Sequence, residues 1–139
     1  MSLSRFLDAQ KDTYAIALNE IKKGRKTSHW MWYIFPQIKG LGFSETSKYY
    51  AIKDKREAQE YLNHEILGPR LMEISTALLK LETNNPVSVF GSIDSVKLKS
   101  SMTLFSLLEN TDPIFQKVLD KFFGGEKDEK TVRILTTII

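Results

Sequence analysis

The 139 residues predict an all-α fold, a compact single-domain multihelical bundle of six to eight short helices. Three observations predict it. Apolar residues recur at three- and four-residue steps along most of the chain. Ser, Asp, Gly and Pro punctuate those runs where helices start and stop. Almost no stretch offers a strand for another to pair with.

From Phe6 to Lys23, the residues Phe6, Ala9, Tyr14, Ala17, Leu18 and Ile21 form one amphipathic stripe, with Gly24 as its stop. Ser28 is placed to cap the next element, which Pro36 ends. Between them "HWMWYIF" has no polar face, and periodicity alone does not separate a short buried helix from a buried strand. The scarcity of strand partners favours a helix. Ser44 caps a short segment through "SKYYAI", and Asp54 with Glu57 resembles a capping box ahead of Ala58, Tyr61 and Leu62. After Gly68 and Pro69 the stripe Leu71, Ile74, Leu78 and Leu81 marks another helix. Asp94 is expected to cap a helix through Asn110 carrying Val96, Leu98, Met102, Phe105 and Leu108. Asp112 and Pro113 restart the pattern until Gly124-Gly125, and a last helix runs from about Asp128 on Val132, Leu135 and Ile138.

Composition narrows the function classes. The 42% hydrophobic and 27% charged fractions are those of a globular protein, and a net charge of +3 permits an anionic ligand. That charge is too small and too dispersed for a dedicated nucleic-acid binder, so nucleic acid is not expected as a partner. No cysteine is present, which removes disulfides, thiolate metal sites and a Cys nucleophile, and fits a reducing cytoplasm. With only His29 and His64, no multi-imidazole metal site can form, and neither metal nor cofactor is expected. No apolar run approaches a membrane span and no signal peptide is visible. The sequence carries no signal for an oligomeric state.

Two stretches run from polar into apolar residues. In "RKTSHWMWYIFPQ", Arg25 and Lys26 precede an expected helix start, where cations, hydroxyls and free backbone N–H groups suit a phosphate or carboxylate. Trp30 or Trp32 would stack on a ring, and His29 would donate or accept a proton. The competing reading makes the aromatic run plain core and the two cations favourable charges at a helix C-terminus. In "SIDSVKLKSSMTLF", Lys97, Ser100 and Ser101 share a helix face and Thr103 follows. Ser and Thr are poor exposed helix-interior residues, so close helix packing or a bound anion would explain them. The Ser-x-x-Lys order of a serine hydrolase is absent. "GGEKDEKT" lacks the order of a P-loop, and the carboxylate pairs lie on ordinary amphipathic faces. For His64 a helix-terminal role is expected.

The blocks "GRKTSHWMWYIFPQIKGLGFS", "YYAI", "EAQEYLNHEILGPRL", "VFGSIDSVKLKSSMTLF" and "FFGGEKDEKT" resemble, in this order and over nearly the whole chain, the bacterial domain-of-unknown-function family 1810. The resemblance implies a small, mostly helical protein and carries no established activity. Its pattern maps onto Arg25, Lys26, His29, Trp30, Trp32, Pro36 and Gln37, and onto Asp94, Lys97, Ser100, Ser101 and Thr103. Glu65 stands where the family typically shows Pro, a change expected at a helix start rather than a site. The calpastatin label sometimes attached to members does not suit a chain with 42% hydrophobic residues and repeated caps.

The leading expectation is one pocket built by both blocks for a small anionic, nucleotide- or phosphate-like ligand. Arg25, Lys26 and Lys97 would neutralise it, Gln37, Ser100, Ser101 and Thr103 would bond it, and Trp30 or Trp32 would stack on it. If the site is catalytic, His29 is the candidate general acid–base and Asp94 its carboxylate partner. The alternatives are a protein–protein interaction module without chemistry and a hydrolase with a general likeness to helical N-glycosidases of ADP-ribose-type nucleotides.

Overall fold

Helix formation follows the caps. The computed structural model describes residues 3–137. Among them are nine helices: α1 Ser4–Gln10, α2 Tyr14–Lys22, α3 Met31–Ile34, α4 Glu45–Tyr50, α5 Lys55–Asn63, α6 Leu67–Leu79, α7 Pro86–Ser106, α8 Ile114–Phe123 and α9 Glu129–Thr137. The all-α class holds, and the only β pairing among the described residues is one isolated parallel bridge, Ile38 to Ile52. Ile138 lies outside the described residues.

Several capping expectations are met. Ser44 accepts the Ser47 N–H at 3.1 Å, and Asp54 accepts the Glu57 N–H at 2.9 Å. The Glu57 carboxylate returns to the N–H of Lys53 at 2.8 Å, one residue earlier than in the usual capping box. Asp128 accepts the Thr131 N–H at 3.0 Å at the head of α9. His64 ends α5, and its Nδ1 accepts the N–H groups of Ile66 and Leu67 at 3.0 and 3.3 Å, so it serves the start of α6.

Three boundaries differ from expectation, each for a tertiary reason. The single stripe from Phe6 to Lys23 breaks at residues 11–13. The Gln10 side chain is buried, donating to the Tyr33 carbonyl at 2.8 Å and the Tyr61 hydroxyl at 3.0 Å. The break lets α1 lie on α3 while α2 packs on α6. Ser28 does not cap α3, because its hydroxyl is bonded to Glu20. Asp94 is not a cap either. Asn85 caps α7, accepting the Val87 N–H at 2.9 Å, and the helix kinks at Gly91, whose φ of 81° and ψ of 167° lie outside the helical region. A side chain added at Gly91 would meet nothing within 4 Å, so it is the backbone conformation that calls for glycine. Val96, expected in the core, is exposed on the far side of this kink.

The core lies where α6, α7 and α8 pack together, with α2 and α5 closing on α6. Phe115, Phe105, Tyr61 and Phe6 form a continuous aromatic line through it, with successive centroids 5.2–5.6 Å apart. Burying side chains of this size contributes about 1.5–3 kcal/mol each. Among the described residues no helix is long and apolar enough to cross a membrane.

Candidate functional site

The loop after α2 is shaped by one carboxylate. Glu20, only 8% exposed, accepts the N–H groups of Thr27 and Ser28 at 2.7 and 3.0 Å, the Ser28 hydroxyl, and the Trp30 indole N–H at 2.9 Å. Burial by itself raises the Glu20 carboxyl, but these donors outweigh it and bring the group down to about 2. The loop is thereby wound around a fixed anion. Trp30 is carried into the core, 1% exposed, against Phe35 and Phe90.

The same loop is tied to α7 through Lys26. Its backbone N–H donates to the Val89 carbonyl at 2.8 Å beside the Gly91 kink, and its ammonium pairs with Asp94 at 2.9 Å. Lys97 holds the other Asp94 oxygen at 3.1 Å. Burial pushes the Asp94 carboxyl up, and the two flanking ammonium groups, Lys26 foremost, more than reverse this, so the group sits below its ordinary value and stays ionised. Lys97 also lies 4.0 Å from the centre of the Trp32 ring, within the range of a cation–π contact. The two sequence blocks therefore meet.

Two cavities open where they meet. One, about 440 Å3, has Lys97, Ser92, Ser100, Asp128 and Lys130 in its wall. The other, about 470 Å3, has Ile38, Phe43, Tyr50 and Ala51 in its wall together with Lys39, Ser47 and Lys48, and both walls are mainly apolar. Trp32, Gln37, Leu41 and Gly42 line both and form the partition. Gln37 is 9% exposed, and its Nε2 has no hydrogen-bond partner. Such an orphan is uncommon, because a buried unsatisfied donor costs about 1–3 kcal/mol. Its backbone is fixed, the carbonyl accepting the Ile52 N–H at 2.8 Å in the β-bridge.

Most of the other expected site residues sit elsewhere. Trp30 offers no open face, so stacking falls to Trp32. Arg25 is exposed away from the cavities, and the Lys26 ammonium is occupied by Asp94 and the Ser28 carbonyl. Ser100 lines the cavity that holds Lys97 while donating to the Val96 carbonyl at 3.2 Å. Ser101 and Thr103 are fully buried in α7, and the Thr103 hydroxyl bridges the Lys99 carbonyl at 2.7 Å and the Asp128 N–H at 2.9 Å. Thr103 thus joins α7 to the start of α9 rather than facing a ligand. His29 and Asp94 are not brought together. The His29 ring is exposed with no hydrogen-bond partner among the described residues, and Asp94 is bonded to the two lysines. No cluster of His, Cys, Asp or Glu among the described residues could hold a metal ion.

The family model described as a protein of unknown function (DUF1810) matches residues 1–135. The chain belongs to this family. It is similar to a solved structure, the conserved hypothetical protein Rv1873 from Mycobacterium tuberculosis, at 41% identity over 96% of each chain with a TM-score of 0.94. No curated protein matches the chain.

Sequence reasoning missed the residues that complete this DUF1810 cleft: Leu41, Gly42, Ile93 and Lys130. Only the two glycines of "KGLGFS" signalled a special loop. A Cβ at Gly42 would stand 2.7 Å from both Cβ and Oγ of Ser47 in α4. Gly42→Ala is expected to cost about 1–3 kcal/mol in denaturant unfolding and to shift the Trp32 emission, because the partition must move. Unchanged stability and emission would show that the loop yields freely.

Proposed function

We propose that this protein binds a small anionic, nucleotide- or phosphate-like ligand in the cleft between α3 and the second half of α7. One observation carries the reading: an ammonium at 4.0 Å over Trp32 and a buried amide without a partner share the walls of adjoining cavities. Each cavity falls within the roughly 300–1,000 Å3 of small-molecule sites. Lys97 uses one N–H on Asp94, and an ammonium has three to offer. Lys130 stands at the same rim and makes no ion pair among the described residues. Asp94 is a positioning residue in this reading, holding Lys97 above the ring.

A thermal-shift screen with nucleotides, sugar phosphates and inorganic phosphate tests it. A ligand at 100 times its dissociation constant adds roughly 2.7 kcal/mol of stability. Lys97→Ala should weaken binding by about tenfold or more, since charge-assisted bonds are among the strong ones, while the ligand-free melting point changes little. Binding unaffected by Lys97→Ala, or no binding by any phosphate compound, would count against the cleft.

A second reading draws on the rim. Phe43 in the larger cavity and Ile93 in the smaller one are 86% and 73% exposed, a surface that also suits a protein partner. Pull-down that is lost in a Phe43→Ser, Ile93→Ser variant, with no small-ligand response, favours that reading.

A further inference from the structure

Three cavities run into one another around the 40–43 loop. The two already described share Trp32, Gln37, Leu41 and Gly42, and a third, about 410 Å3, adjoins one at Gly40 and the other at Lys130. We propose that this groove is the docking surface for an acidic peptide segment of a partner protein, its apolar side chains seated against Phe43, Ile93 and Val96 and its carboxylates facing the surrounding cations. The proposal rests on the second, protein-partner reading and goes beyond it by naming the partner's chemistry.

Charge and exposure carry it. Lys39, Lys48, Lys97, Lys130 and Arg133 line the groove against one carboxylate, Asp128. That is an excess of four cations, where the whole chain has an excess of three. Asp128 is moreover engaged at the head of α9 by the N–H and hydroxyl of Thr131. Asp94, behind Lys97, is shared with Lys26, so that trio still leaves one positive charge. On the far side of Asp128 the balance returns, with three carboxylates among four cations. The positive charge of the protein is therefore gathered at this groove, and a negative partner is steered to it.

The same groove holds three of the four most exposed large apolar side chains among the described residues, Phe43, Ile93 and Val96. Ile93 and Val96 are three apart on α7 and so share a face. A small anion would neutralise one stretch of the cations and leave these side chains in water. A peptide segment covers both, because its side chains reach successive cavities. Single-stranded nucleic acid would match the charge, but it is held by stacking on aromatic faces. Here the apolar groups are mostly aliphatic, Leu41, Ile93, Val96 and Ile134 among them.

Selection from a random peptide library displayed on phage, against the intact protein, tests the partner's chemistry directly. Enriched sequences should interleave Asp or Glu with large apolar residues. Fluorescence anisotropy with the most enriched peptide then places it. A Phe43→Ser, Ile93→Ser variant should bind about tenfold or more weakly, as loss of apolar anchors requires. A Lys48→Glu, Lys130→Glu variant should lose about as much at low salt, and wild-type affinity should fall as salt rises. All four positions are exposed, so both variants should keep the wild-type melting point. Enrichment of neutral or basic peptides that still need Phe43 and Ile93 would overturn the acidic assignment and leave the protein-partner reading standing. No enrichment, or peptides indifferent to both variants, would bring down both. An oligouridylate that displaces the selected peptide and binds more tightly would give the groove to nucleic acid instead.

Discussion

Glu20→Ala is expected to destabilise the protein by about 3–4 kcal/mol, lowering its melting point by roughly 10–15 °C at this chain length. The carboxylate is the common acceptor for two backbone N–H groups, a hydroxyl and the Trp30 indole. Removing it leaves those donors without a partner in a half-buried loop, and each orphan is costly. Glu20→Gln should cost much less. The retained oxygen can still accept the three N–H donors, and the new amide can donate to the Ser28 oxygen.

The two variants also separate in acid. The folded Glu20 carboxyl lies at about 2, below its ordinary value of 4.5, so the unfolded chain takes up a proton first as pH falls. Its contribution is therefore complete above about pH 4.5 and disappears between that value and about pH 2. Across that window wild type should lose about 3 kcal/mol on this account, an amount that Glu20→Gln does not lose. Urea titrations at pH 6 and pH 3 measure the difference, of which about 2 kcal/mol has been lost by pH 3. Parallel acid losses in wild type and Glu20→Gln would show that the cradle does not hold the ionised form.

Gly68→Ala should destabilise by about 3 kcal/mol, although alanine in place of glycine ordinarily favours a helix by up to 1 kcal/mol. Gly68 is the second residue of α6, and a Cβ there would lie 2.1 Å from the Leu62 carbonyl oxygen in α5. The obstacle is backbone, so no rotamer change relieves it. The tight corner is closed further by His64, whose carbonyl accepts the Gly68 N–H at 3.1 Å and whose ring serves the N–H groups before it. A denaturant midpoint that rises in Gly68→Ala would mean that the α5–α6 corner opens without penalty.

Glu20 stands behind the cleft rather than in it. Glu20 winds the loop that carries Lys26, and Lys26 holds Asp94, which holds Lys97 over Trp32. A loss at Glu20 is thus expected to loosen the ligand site from a distance, an effect the thermal-shift screen would register as weaker binding in any Glu20→Ala protein that still folds.

Much of this was legible along the chain. Helical periodicity, with Ser44 and Asp54 as caps, a helix start near Asp128 and Pro113 at a first turn, is local chemistry, so the all-α class and most boundaries follow from residues three or four apart. The two polar-into-apolar blocks were recognisable for the same reason, as was their likeness to the DUF1810 family. What the sequence could not decide were the relations across distance. Nothing local separates Trp30 from Trp32, since both belong to one aromatic run. The buried Glu20 takes the first indole into the core, and Lys97, sixty-five positions after Trp32, lies over the second. Asp94 looks like a cap until Gly91 kinks the helix and two lysines claim its oxygens. Local hydrogen bonds and hydrophobic spacing are properties of short segments, whereas the choice of which polar group meets which, and which aromatic face stays open, is made only when the helices pack.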